Sequence, residues 1–412
     1  MPPRSEEKAP KPSGGVVLLS ENDGNVARQT QAQKLNTLNH KYLVRVESRA
    51  TWSGIVAAVL AGGFAFLAFQ GYRPPLSGDN SVAVYAAILS AIASALAFFM
   101  GFLFATQQAL KWLSERPLPR RVLDALALMA MHGSIAMMGS LALFRMFQAS
   151  FVGLTVDAIA GSAMVAGAAA MAAYLSYSSG AKISTASLSV LLASYIAAGV
   201  VVSMLYAENP FWWHSMFSEL GTGQASATSY WTFNTTLVTS GILLALLADF
   251  ITRELKDWSE VKRLAKRELI DFSSALPVRF LRRMETRFVR PRVSIVRGCL
   301  IGIGVCLVGI GLAPVHTMTD LHTAFEWVAA FLIVFMMLGV PVWMPYFPGA
   351  FYIMSFGAVL VLVGASYLWF GLGYYNLTAL ELVAAGVLFG WLVVLIRNID
   401  AVMSEPESEH AE

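Results

Sequence analysis

The sequence predicts an all-α polytopic integral membrane protein of about ten transmembrane helices, with both termini in the cytoplasm. Three observations carry this. First, 57% of the 412 residues are hydrophobic, only 13% are charged and the mean hydropathy is +0.61, whereas a soluble domain carries roughly 25% charged residues. Such a chain cannot be covered by water, which excludes disordered, collagen-like, coiled-coil and ordinary cytosolic enzyme classes. Second, ten apolar runs reach the ~20 residues that a helix needs to cross ~30 Å of hydrocarbon with its backbone groups paired internally. Third, the cationic side chains gather on one side of the resulting topology.

The ten runs lie at about 52–71, 81–107, 122–144, 157–178, 186–206, 230–250, 294–313, 324–344, 349–370 and 378–396. The fourth is rich in Ala and Gly. Lys and Arg resist translocation and so mark the cytoplasmic connections. Eight precede residue 52, four lie in 108–121 and one is Lys182; thirteen lie between Arg253 and Arg297, and one is Arg397. That places 27 of the 29 on one face and leaves Arg73 and Arg145 on the other.

Residues 1–51 contain no apolar h-region and are not read as a signal peptide. Pro2, Pro3, Pro10, Pro12, Gly14 and Gly15 among charges predict a flexible cytoplasmic tail that becomes helical near Gln31. Residues 399–412 form a short acidic tail. Cys299 and Cys306 fall on one helix, about 10 Å apart along its axis, too far to bridge, and read as packing residues.

Two membrane modules follow. The first, 52–178, has four helices and few ionisable groups. Ser162, Ala166 and Ala170 recur every four positions, the spacing of small residues at close helix contacts. Such helices serve packing within the chain, an oligomer or a partner protein. His132, near the middle of the third span, is the exception to the apolar rule there. It reads either as a neutral imidazole bonded to a backbone carbonyl or as a ligand or proton-relay group.

The second module, 186–398, has six helices and is interrupted by the connection 251–293. Leu255, Trp258, Val261, Leu264 and Leu269 share one helical face, with Lys256, Lys262, Arg263, Lys266 and Arg267 around it. This is the pattern of a helix on a membrane surface whose basic residues meet anionic headgroups. The same charges equally serve to fix topology between the two modules. No base-stacking or groove-reading feature accompanies them, so nucleic acid is not expected as a partner.

The polar chemistry converges on the outer face of the second module. The loop from Ala207 to Tyr230 carries Glu208, His214, Ser215, Ser218, Glu219, Gly221 and Gly223, ahead of Asn234. The next outer connection places His316, Asp320, His322 and Glu326 within eleven residues. These residues outline a polar pocket at the membrane interface. His214, His316, His322 and Asp320 offer divalent-metal ligands, with the fourth position left for an activated water. The H-x5-H spacing is not a recognised metal signature. The same histidines, with Asp320 or Glu219, alternatively serve as acid and base on a lipid headgroup. A plainer reading makes Asp320 or Thr323 a helix cap and Thr323-x-x-Glu326 and Thr378-x-x-Glu381 capping boxes. Trp212 and Trp213 read first as interfacial anchors, and Asn234 opens an N-T-T sequon.

The order of these residues resembles a family. A helix, an outer loop with S-x-L-G (Ser218 to Gly221), then a helix opening with Phe233-Asn234 and carrying Gly241, is similar to the bacterial family called domain of unknown function 998. The likeness continues with Gly311-x-x-Pro314 and His322 ahead of a long apolar helix. More distantly it resembles the six-span Frag1/DRAM/Sfk1 group, connected with GPI-anchor lipid remodelling, lipid organisation and autophagy. The likeness covers about residues 185–398. It implies a six-helix module with an outward polar pocket formed around Ser218, Glu219, Gly221, Asn234 and His322, in the plasma membrane of a bacterium. The first four helices depart from that pattern.

Three functions stay open. The first is binding or organising membrane lipids through the outer pocket. The second is an intramembrane enzyme acting on a lipid or lipid-linked substrate. The third is a small-solute transporter, for which Gly302, Gly304, Gly309 and Gly311 would loosen the seventh span. Absence of P-loop, Rossmann, G-x-S-x-G and H-E-x-x-H signatures argues against nucleotide-driven and common hydrolytic chemistry.

Overall fold

The computed structural model describes residues 21–108, 117–224, 226–271, 292–345 and 347–404. Among them ten helices are long and apolar enough to cross a membrane. They are α1 (Glu21–Ala68), α2 (Val82–Gln108), α3 (Leu118–Ser150), α4 (Ala158–Ala181) and α5 (Thr185–Leu205) in the first half. The second half contains α6 (Ala227–Asp271), α7 (Val293–Leu312), α8 (Thr319–Trp343), α9 (Gly349–Phe370) and α10 (Leu377–Ser404). The protein is therefore an all-helical, multi-pass membrane protein. The chain divides into two compact units, Met1–Ser48 and Arg49–Glu412. The described part of the first is the helical stretch 21–48, so helix begins ten residues ahead of Gln31.

Local chemistry sets several helix ends. Asp157 caps α4 by accepting from the Ile159 and Ala160 amides, at 2.9 and 3.0 Å. Ser184 and Ser187 form a reciprocal capping box at α5. Gln148 Oε1, near the end of α3, accepts from the Leu76 and Ser77 amides and ties that helix to the α1–α2 connection.

In the first module α2 packs against both α3 and α4. The α2–α4 crossing is a glycine contact: a Cβ on Gly101 would sit 2.3 Å from the Tyr177 carbonyl oxygen, and one on Gly180 2.6 Å from that of Phe98. Ala166 and Ala170 face Gly62 and Gly54 of α1. The small-residue stripe is thus engaged inside the chain. In the second module each helix from α5 to α10 packs on the next, and α10 returns onto α5, closing a circuit of neighbours. α3 packs against α5 and α6 and so ties the two modules together. The shared core runs through Leu128 and Met131 of α3, Leu244 and Leu247 of α6, Leu300 and Ile303 of α7, Met337 of α8 and Leu395 of α10.

Two expectations need correction. The glycines of the seventh span do not loosen it. α7 is uninterrupted, and a Cβ on Gly304 would sit 2.6 Å from the Gly241 carbonyl oxygen of α6; one on Gly309 would meet the Phe325 ring of α8. These glycines let three helices approach closely. The basic connection, in turn, does not begin as a separate surface helix. α6 continues without a break to Asp271, 45 residues in all, or about 68 Å. The side chains of Trp258, Val261, Lys262, Arg263, Leu264, Lys266, Arg267 and Leu269 lie outside the described residues, as do 1–20, 272–291 and 405–412.

Candidate functional site

The outer end of the second module is assembled from α6, α8, α10 and the loop 207–226, which forms two 3-10 turns, Trp212–His214 and Phe217–Gly221. The second turn packs on both α6 and α10. Leu220 is fully buried, and Ser229 Oγ donates to its carbonyl at 2.9 Å. Asn234 Nδ2 donates to the Gly221 carbonyl at 2.9 Å and to Tyr230 at 3.0 Å. Glycine is needed at 221, because a Cβ there would sit 2.7 Å from the Phe233 ring and 3.0 Å from Asn234 Oδ1. Gly311 in turn lies against the Asn234 carbonyl, where a Cβ would approach to 2.7 Å. Ser218, Gly221, Asn234 and Gly311 are therefore parts of one packed structure.

His322, in the first turn of α8, is 2% exposed. Its Nδ1 lies 2.7 Å from the Ala313 carbonyl oxygen, which acts as acceptor and so places a proton on Nδ1. Its Nε2 lies 3.2 Å from Glu326 Oε1, one turn further along α8. That contact is an ion-pair approach and not an aligned hydrogen bond, so Nε2 has no hydrogen-bond partner. Glu381, in the second turn of α10, accepts from the Phe217 amide and, at 3.5 Å, from Ser218 Oγ. An imidazole–carboxylate pair on α8 and a carboxyl group on α10 thus stand at the outer end of the module, the carboxyl group of α10 being tied to the loop.

This corrects the capping assignments. α8 has Met318 at its N-cap position with no side-chain cap, so neither Asp320 nor Thr323 caps it, and Glu326 turns to His322. For α10, Asn376 Oδ1 accepts the Ala379 amide at 3.0 Å, while the Thr378 hydroxyl is buried without a partner. Glu381 is thereby released from its own helix end. Sequence reasoning passed over it as a cap. The available signal was the Asn376-x-x-Ala379 spacing, which supplies a cap earlier in the chain and leaves the acid unexplained.

The remaining candidates make other contacts. His214 is exposed and lies against Trp213, the rings tilted by 38° with centroids 3.9 Å apart. His316 and Asp320 are exposed, His316 with its ring 6.4 Å from that of Tyr230. Glu219 accepts from Thr222 Oγ1 at 3.3 Å within its own turn. Among the described residues no group of three or more His, Cys, Asp and Glu is placed to hold a metal, so His214, His316, His322 and Asp320 are not gathered into a metal site. Nor does the imidazole address the serine: both His322 ring nitrogens face other groups, Ala313 and Glu326. A serine–histidine nucleophile pair is not assembled here.

His132 is satisfied where it lies. Nδ1 is 2.8 Å from the Leu128 carbonyl oxygen, Nε2 is 3.0 Å from Ser179 Oγ, and the ring stacks on Phe98 at 4.1 Å. It packs as a core histidine with both nitrogens used. Comparison with protein-family models, curated proteins and solved structures returns no match for this chain.

Proposed function

We propose that this multi-pass membrane protein binds lipid headgroups at its outer membrane face, in the plasma membrane of a bacterium, with Glu381, Glu326, His322 and Ser218 as the recognition groups. The observation that carries the reading is the destination of the Glu381 carboxylate. It accepts donors from an outer loop, where a ligand's donors would be accepted, and α8 carries a second carboxyl group, Glu326, at the same end of the module. Two acids against one imidazole favour a cationic headgroup group, such as the ammonium of an ethanolamine lipid. A charged donor is a stronger partner for a carboxylate than the loop's neutral N–H and O–H. The loop is then the cover that exchanges with the headgroup, and its exposed Phe211 and Trp213, with Trp231 near the start of α6, are placed to rest in the interfacial region. The family resemblance, with its lipid-linked relatives, supports the same class of ligand.

The test is native mass spectrometry of protein exchanged into nanodiscs holding phosphatidylethanolamine, phosphatidylcholine and phosphatidylglycerol of identical chains. Wild type is expected to retain the ethanolamine lipid, and Glu381→Gln and Glu326→Gln to lose that preference with the fold intact. Equal retention of the three lipids by wild type, or an unchanged ethanolamine preference in both variants, would overturn the reading.

A further inference from the structure

A second feature lies in the other module. Between α1 and α2, floored by α4, runs an elongated cleft of about 670 Å³, within the range of small-molecule binding sites. On α1 its lining extends from Arg49 to Phe64, fifteen helical steps and so about 22 Å, which is most of the thickness of a bilayer's hydrocarbon core. Alanines line its base, the buried Ala57 and Ala61 of α1 and Ala97 of α2 beside Ala173 of α4, and larger side chains form exposed walls, Leu60 and Phe64 from α1 and Ile92 and Leu96 from α2. The polar Ser53 within it donates to the Ala50 and Ala173 carbonyls and presents no free donor to the cleft.

Arg49 closes one end. Its guanidinium carbon sits 4.2 Å above the Phe104 ring of α2, a cation–π contact that holds the side chain at the mouth. No carboxylate among the described residues pairs with it. The charge distribution puts this end on the cytoplasmic side, where the leaflet carries anionic lipids. An apolar channel as long as an acyl chain, ending at headgroup level in a cation with no carboxylate partner among the described residues, has the chemistry of one occupant.

We propose that the α1–α2 cleft binds an anionic phospholipid of the cytoplasmic leaflet, with an acyl chain along the alanine floor and the phosphate on Arg49. The inference is independent of the outer cluster. It concerns the other leaflet, the other module and the opposite headgroup charge.

The experiment uses the full chain in nanodiscs containing phosphatidylglycerol and phosphatidylcholine with matched chains, and reads retained lipid by native mass spectrometry. Wild type is expected to retain phosphatidylglycerol over phosphatidylcholine by about fivefold, the preference that one cation near an anionic surface supplies. Arg49→Gln is expected to remove the preference while leaving a bound lipid, and Arg49→Lys to keep most of it. Ala93→Phe, which narrows the cleft from the α2 side, is expected to lose lipid of both kinds. Arg397→Gln removes a cation of the same face remote from the cleft and is expected to change nothing. Retention unchanged in both Arg49→Gln and Ala93→Phe overturns the proposal. So does a wild type that is dimeric in nanodiscs and becomes monomeric in Ala93→Phe with its lipid unchanged, which would assign the cleft to a second copy of the chain.

Discussion

The side chain of Glu381 accepts the backbone amide of Phe217, a residue 164 positions earlier in the chain. This bond crosses from the last helix to the outer loop, and it is reinforced by Asn376 Nδ2, which donates to the Trp213 carbonyl at 2.6 Å. Two side chains of one helix start therefore hold both 3-10 turns of the loop. A loop free of such ties would be expected to move independently of the helices beneath it.

The first prediction concerns that tie. Glu381→Ala removes the acceptor of the Phe217 amide, and a buried hydrogen bond contributes about 0.5–1.5 kcal/mol net. Hydrogen exchange is expected to rise in peptides covering 211–222, with α7 and α9 unchanged. Glu381→Gln keeps an oxygen acceptor and is expected to show a smaller rise. Equal exchange in wild type and Glu381→Ala would mean that the loop is held by its other contacts alone.

A second prediction tests the helix crossing. A Cβ on Gly241 would lie 2.3 Å from the Gly304 carbonyl oxygen, which is backbone and cannot swing aside. Gly241→Ala is expected to force α6 and α7 apart and to destabilise by about 1–3 kcal/mol, the usual range for overpacking. Gly298→Ala, on α7 with open space around its Cβ position, is the internal control. It is expected to be neutral or slightly stabilising, since Ala restricts the backbone more than Gly does. Thermal unfolding in one detergent compares the two. A similar midpoint for both variants would remove the close crossing from the account of the fold.

The helices were legible because lipid leaves few options for a backbone: each apolar run of about 20 residues must be a helix, and charge places its ends. Even the Ala-rich fourth span, 157–178, emerges as Ala158–Ala181. What the sequence concealed were partners distant along the chain. Thr378-x-x-Glu381 has the form of a capping box, yet Asn376 takes the cap and Glu381 reaches Phe217. Spacing alone contains no term for the loop that folds down on α10. The glycines of α7 were misread for a related reason. Taken along one helix they suggest weakness, and only the facing residues Gly241 and Phe325 reveal them as contacts. His132 shows the converse: Leu128, four residues before it, was a visible acceptor, whereas Ser179 on α4 was not.

That satisfaction of His132 makes a third prediction. His132→Leu retains the bulk beside Phe98 and removes the bond to Ser179, so a loss of about 1 kcal/mol of stability is expected. Lipid retention at the outer face is expected to stay as in wild type, because the residue touches nothing there. A variant that folds normally but loses the headgroup preference would return His132 to a functional role.

A fourth prediction follows from Asp157, at the outer start of α4. Its carboxylate accepts the Ala160 and Ile159 amides, and the Ala160 bond above all holds it below the usual carboxylate range, with the charge of Arg73 adding to the effect. The folded value is thus depressed relative to the unfolded one, near 3.9. The cap's contribution is accordingly complete above that pH and is lost only as pH falls through the lower folded value. Protection of the Ile159 and Ala160 amides, corrected for intrinsic exchange, is expected to stay level from neutrality to about pH 4 and to fall below it. Asp157→Asn keeps an oxygen acceptor but has no proton to gain in this range, so its protection is expected to be flat across the same acid limb. If wild type and Asp157→Asn lost protection together, the acid sensitivity would belong to another group and the cap would not be its source.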